Sequence, residues 1–228
     1  MKLSPILISM KTASAAIIIT FFLGILAARW VVKIKSEKIK MLLDGILTLP
    51  LVLPPTVMGF FVLLIFGVKR PLGKFLLEFF SVKIVFSWTA TVIAAVVISF
   101  PLMYRSARGA FEQVDQNLII AGRTLGMSEN RIFWKITMPI ALPGVASGGV
   151  LAYARGLGEF GATAMIAGNI ENVTRTLPLA IYAEVAAGNM DSAMNYVAVV
   201  LAISFIVIVL MNYFTFRGRK YLNRDKVK

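Results

Sequence analysis

Residues 105–135 read RSARGAFEQVDQNLIIAGRTLGMSENRIFWK. This is the longest polar interlude in a chain that is 58% hydrophobic and 15% charged, and what flanks it decides the fold class. Before it runs Ile84–Tyr104 and after it Ile136–Ala154. Each has the ~20 mostly apolar residues a helix needs to cross a bilayer. Further out lie Thr12–Val32, Gly45–Val68 and Ser192–Phe216. A soluble domain averages ~25% charged residues, so this pattern means a polytopic membrane protein. The expected fold is all-α, with about five transmembrane helices in a single domain spanning 1–228 (core about 10–216) and a basic tail at 217–228. The fourth stretch is expected to run on past Arg155 and Glu159 to about Ile170.

Within the interlude, Ile119, Ile120, Leu125, Ile132, Phe133 and Trp134 alternate with charges. Helical amphipathicity with a glycine break at Gly126 predicts two short helices meeting at a turn. Such a segment lies on the membrane surface or docks on a partner.

The net charge of +13 is read through the bilayer. Lys and Arg collect in cytoplasmic segments of membrane proteins, so nucleic acid is not implied. Five crossings put the chain ends on opposite sides. With the C-terminus inside, the inner segments (around 29–40, 105–135 and 217–228) hold sixteen of the 24 basic residues. The outer segments hold seven, four of them in the connection at 69–83, and Arg155 is left over inside a span. The expected topology is N-terminus outside, C-terminus cytoplasmic. The first apolar stretch is too long for a signal peptide and its positive cluster follows it, so it reads as a retained helix.

The spans carry their own punctuation. Pro50, Pro54 and Pro55 interrupt the second, freeing backbone groups that cannot face acyl chains. This span is expected inside the bundle, lining a path. In the fourth, Gly144, Gly148, Ala152 and Gly156 form a close-packing stripe. Arg155 and Glu159, four apart, can pair on one helix face. They are candidate path or packing charges near a subunit interface. The apolar run Thr176–Ala183 is too short to span and reads as a partial helix on the outer side.

Much chemistry is excluded. There are no cysteines or histidines, which removes thiol catalysis and the usual zinc and haem ligands. The nearest run to a phosphate-binding loop, GVKRPLGKF at 67–75, has five residues between its glycines and Phe75 in place of Ser or Thr. No catalytic site, metal or cofactor is expected on this chain. It conducts passively or borrows energy.

Residues 121–139, AGRTLGMSENRIFWKITMP, resemble the E-A-A-x-x-x-G-x(9)-I-x-L-P loop of ABC-importer permeases. Ala121, Gly126, Ile136 and Pro139 fall at the motif's spacing, while Ile120, Gly122 and Met138 depart from it. ARGLGEFGATAMIAGN at 154–169 is similar to the signature of the molybdate and sulfate branch, and LPLVLPPTVMG at 49–59 to the molybdate type. The resemblance implies a type I importer permease fold and import of molybdate by alternating access. It also implies a homodimer of permeases, two cytoplasmic ATPase subunits holding ATP and magnesium, and an extracytoplasmic binding protein. Coupling to the ATPase is assigned to Ala121, Gly122, Leu125, Gly126, Ile136 and Pro139. Sulfate or tungstate import by the same family is the nearer alternative. An ion-coupled secondary transporter is the alternative from another class, but it would need an ion site and usually inverted repeats.

Overall fold

The computed structural model describes residues 2–224, with side chains through residue 213. The basic tail assigned to 217–228 therefore lies outside the residues whose side chains are described. The helices are α1 (Ser4–Val32), α2 (Glu37–Val52), α3 (Pro55–Phe66), α4 (Pro71–Phe80), α5 (Trp88–Glu112) and α6 (Gln116–Thr124). They are followed by α7 (Glu129–Ile132), a π-helical turn at Phe133–Thr137, α8 (Met138–Leu157), α9 (Gly161–Ala167), α10 (Leu177–Ala186) and α11 (Met190–Arg224). Proline placement explains several starts. α1, α3, α4, α8 and α10 each carry a proline in the first turn, where its missing N–H costs nothing.

Among the described residues four helices are long and apolar enough to cross a bilayer, and α2 with α3 forms a fifth candidate bent by 110°. The contacts show that this bent pair crosses. At its start Lys40 pairs with Glu112 at 3.0 Å, and Asp44 pairs with Arg108 and accepts from Tyr104 Oη at 3.0 Å. At its far end Val62 and Phe66 pack with Ala90, Ala94 and Ile84. The two ends thus sit at opposite ends of α5, so α2–α3 is one broken span.

α1 and α5 run in parallel at a constant offset. Thr12 bonds Thr91 at 2.9 Å and Thr20 bonds Ser99 at 3.2 Å, both buried. Interhelical hydroxyl bonds of this kind contribute about 0.6 kcal/mol each in a membrane. α8 runs antiparallel to α5. α10 caps one end of the bundle, where Leu177 N–H donates to Ser9 Oγ at 2.6 Å. α11 begins at that same end, with Tyr196 Oη bonded to Lys2 O at 3.2 Å. Residues 33–40 and α6 sit at the other end.

Four expectations change. The second span starts at Glu37, not Gly45, and includes Asp44; Arg108 compensates that carboxylate, so the helix carries it. The α2 half of that span is not enclosed by this chain: it has no buried residue and packs chiefly on α5 and the end of α1, while α3 packs on α9. The connection at 69–83 contains the helix α4. Its glycines serve a tight turn, since a Cβ on Gly73 would lie 2.2 Å from Gly67 O. Finally, the fourth span does not continue as one helix to Ile170. It stops at Leu157 and restarts at Gly161.

Candidate functional site

The break in the fourth span is built by Glu159. Its Oε1 accepts from Ala162 N–H at 2.8 Å, satisfying a donor at the start of α9. Its Oε2 lies 2.8 Å from Arg155 Nη1, while the Glu159 side chain is 1% exposed and that of Arg155 31%. This contact is ionic but off-line, for Oε2 is buried without a hydrogen-bond partner. A buried carboxylate is costly unless paired and hydrogen-bonded, and here each oxygen does one of the two. Arg155 and Glu159 thus meet across a helix end rather than along one helix.

The break meets a second one. A Cβ on Gly161 would lie 3.1 Å from Pro55 Cβ and 3.2 Å from Thr56 N, and one on Gly59 would lie 2.7 Å from Ala162 Cα. The Pro54–Pro55 interruption and the Gly158–Phe160 interruption are therefore stacked, with α3 and α9 leaving side by side. Pro54 is the residue before α3 and Pro55 its first residue, whereas Pro50 lies inside α2.

The small-residue stripe of α8 has a partner in the same chain. A Cβ on Gly144 would lie 2.9 Å from Ala110 Cβ, one on Gly148 2.3 Å from Ser106 Cβ, and one on Gly156 3.7 Å from Ala95 Cβ. It seats α8 on α5, and not on a second subunit as expected, because α5 offers Ala95, Ser106 and Ala110 at the matching antiparallel register. Beside this seam opens a cleft of about 520 Å³ lined by Arg105, Ser106, Gln113, Ser147 and Leu151. Arg155 continues the cleft-lining face of α8, four residues past Leu151. Arg105 and Ser106 were not singled out from the sequence. Arg105 carried weight there only as one of many basic residues near a span end.

The interlude folds into α6 and α7 around Gly126, which has φ +73° and nothing within 4 Å of a Cβ. Asp115 caps α6 through Asn117 N–H at 2.9 Å, and Ser128 starts α7. Leu125 is 80% exposed and Ile120 54%, so these two apolar residues point outward, whereas Ile132 and Phe133 are buried. Gly122 is buried, and a Cβ there would come within 3.0 Å of Ile136 Cδ1. Ala121 is exposed, and Pro139 stands in the first turn of α8. Arg123 pairs with Glu129 at 2.7 Å, which raises the Arg123 guanidinium above its ordinary pKa. At the opposite end Lys2 pairs with Glu171 and holds that carboxyl below its ordinary value.

Comparison with known proteins gives one answer. The family described as "Binding-protein-dependent transport system inner membrane component" matches residues 6–225. A putative molybdenum transport system permease protein of Bacillus subtilis is 41% identical over 205 residues, 90% of each chain. The molybdenum transport system permease protein ModB of Escherichia coli is 40% identical over 220 residues, 96% of each chain. Among solved structures, an inward-facing MetNI methionine ABC transporter chain aligns with TM-score 0.66 at 16% identity, covering 92% of this chain and 94% of that one. A bacterial ABC transporter importing alginate aligns with TM-score 0.67 at 14% identity, covering 96% of this chain and 79% of that one. These likenesses show the type I importer permease fold.

Proposed function

The chain belongs to the family of inner-membrane components of binding-protein-dependent transport systems, and from that premise we propose that it is the membrane permease of a molybdate importer. Two relatives at about 40% identity over nearly the whole chain are molybdenum permeases, and this single observation carries the substrate. The chain is the path and not the engine. ATP and magnesium belong to a separate ATPase pair, and a binding protein delivers the anion on the far side. The end of the bundle with α6 and residues 33–40 is cytoplasmic, because the inner segments so assigned hold sixteen of 24 basic residues. The N-terminus is then outside.

The proposed route runs along the α5–α8 cleft. Arg105 lines the cleft between α5 and α8, and Arg155, one third exposed, follows on α8 four residues past the lining residue Leu151. An oxyanion meets at Arg105 a positive charge unpaired among the described residues, and at Arg155 a guanidinium whose charge Glu159 offsets, so that the cargo is not held too tightly. The peripheral α2, bare in one chain, is covered by the second permease of a homodimer. The α2–α3 and α8–α9 interruptions give each span a joint, so one half can tilt while the other stays seated.

Deletion of the gene is expected to abolish uptake of labelled molybdate, with tungstate competing better than sulfate. A deletion strain that loses sulfate uptake and keeps molybdate uptake would reject the substrate assignment.

Coupling is expected at the α6–α7 turn, where the outward-pointing Leu125 seats in the ATPase. Gly126→Val has room for its side chain, so its cost is backbone strain alone, about 1–3 kcal/mol at positive φ. The turn reshapes and the ATPase no longer drives uptake, although the permease still inserts. Gly126→Asn, which tolerates this backbone, keeps most of the uptake. ATPase co-purification and molybdate uptake, measured on both variants, check this; equal uptake in both would remove the turn from coupling.

A further inference from the structure

A second pocket, of about 420 Å³, opens at the α6 end of the bundle and shares no lining residue with the α5–α8 cleft. The end of α1, α6 and the α7–π turn close around it. Arg29, Lys33 and Arg123 line it against one carboxylate, Glu129, which leaves two uncompensated positive charges. Arg123 is already taken up by Glu129. Arg29 stacks on Phe133, its guanidinium carbon 4.1 Å from the ring centroid, and one of its terminal nitrogens bonds Asn130. These contacts fix the guanidinium with its Nε buried and without a partner. A buried guanidinium nitrogen with no acceptor costs free energy that an arriving anion recovers. Lys33 stands exposed at the rim.

Two features identify the anion. Between the polar groups the wall is apolar, formed by Val32, Phe111, Ile119 and Ile132, so the ligand is amphiphilic. The pocket also lies at headgroup depth. Trp30 follows Arg29, Trp134 follows Phe133, and both are 57% exposed, as tryptophans of an interfacial belt are. Basic pockets between transmembrane helices at this depth suit phospholipid headgroups. We propose that this pocket binds the phosphate of an anionic phospholipid, with Arg29 and Lys33 as its cationic partners. Because α6 forms one wall, an occupied pocket braces the segment that docks on the ATPase.

The purified permease in nanodiscs of mixed phosphatidylglycerol and phosphatidylcholine, with one or the other lipid brominated, tests this by quenching of tryptophan fluorescence. The expected result is about a five-fold preference for phosphatidylglycerol, the size one basic side chain near a membrane surface contributes. Lys33→Glu removes the preference. Lys35→Glu, the same charge change outside the pocket lining, keeps it. Arg29→Gln also removes it; since Arg29 packs on Phe133, the rim variant carries the test if Arg29→Gln fails to fold. Equal quenching by the two lipids, or equal loss in both lysine variants, overturns the proposal. Suppression of the preference by millimolar inorganic phosphate alone reassigns the site to a soluble phosphate. Suppression by docking of the ATPase reassigns it to an acidic segment of that partner.

Discussion

Gly148→Ala is expected to stop molybdate uptake and to lower the thermal stability of the permease. Its new methyl would sit 2.3 Å from Ser106 Cβ, far inside any non-bonded carbon contact, and Ser106 Cβ is not the far end of a flexible side chain. The α5–α8 seam has to part, and overpacking of this kind costs about 1–3 kcal/mol. The same seam borders the cleft, so parting it also misaligns Arg105 and Arg155. The swap is the decisive measurement. Gly148→Ala with Ser106→Gly restores the space by exchanging which helix carries the methyl. It should recover the stability to within about 1 kcal/mol, the helix-interior cost of glycine over alanine. Recovery of stability and uptake together means that helix spacing controls the path. Recovery of stability alone means that the Ser106 hydroxyl touches the anion. No recovery of either would show that the seam is not where the strain falls.

The Arg155–Glu159 pair separates packing from transport. Glu159→Ala is expected to be the most damaging change in the pair, at about 2–3 kcal/mol. It strips the donor at the start of α9 of its acceptor and leaves Arg155 alone. Glu159→Gln keeps an amide oxygen for Ala162 N–H and leaves only a partly exposed arginine unpaired, so its cost is about 1 kcal/mol. Arg155→Gln destabilises more than Glu159→Gln, because the charge it abandons is the buried one. The double change Arg155→Gln with Glu159→Gln is expected to assemble about as well as Glu159→Gln alone, yet to transport poorly, since the anion has lost the Arg155 guanidinium. Full uptake in that double variant would take Arg155 out of the path and leave the pair a packing device.

How far these residues were legible in the sequence differs from one to the next. Gly126 was readable because a turn between two amphipathic segments is a local matter, and its positive φ follows from four or five neighbours. The partial helix α10 was readable because a helix of ten mostly apolar residues cannot span a bilayer. Gly148 was visible as one of a stripe, but its partner was not. Periodicity along one helix shows that a close neighbour exists and is silent on which helix supplies it. Asp44 fell just outside the expected span because its neutralising partner, Arg108, is 64 residues away in sequence and adjacent in space.

The sequence by itself determined the class, the crossings and the family motif. Bilayer thickness sets the length of an apolar run, and charge sets which segments stay outside it. Both act residue by residue along the chain. Only the tertiary structure decided where the fourth span stops. Read along the chain, Leu157 to Ile170 is apolar enough to continue as helix. It stops because a buried Glu159 turns back onto Ala162 N–H and Arg155, beside Gly161 packed on the Pro55 break. A helix end inside a membrane holds only if its free backbone groups find partners, and those partners come from other parts of the fold.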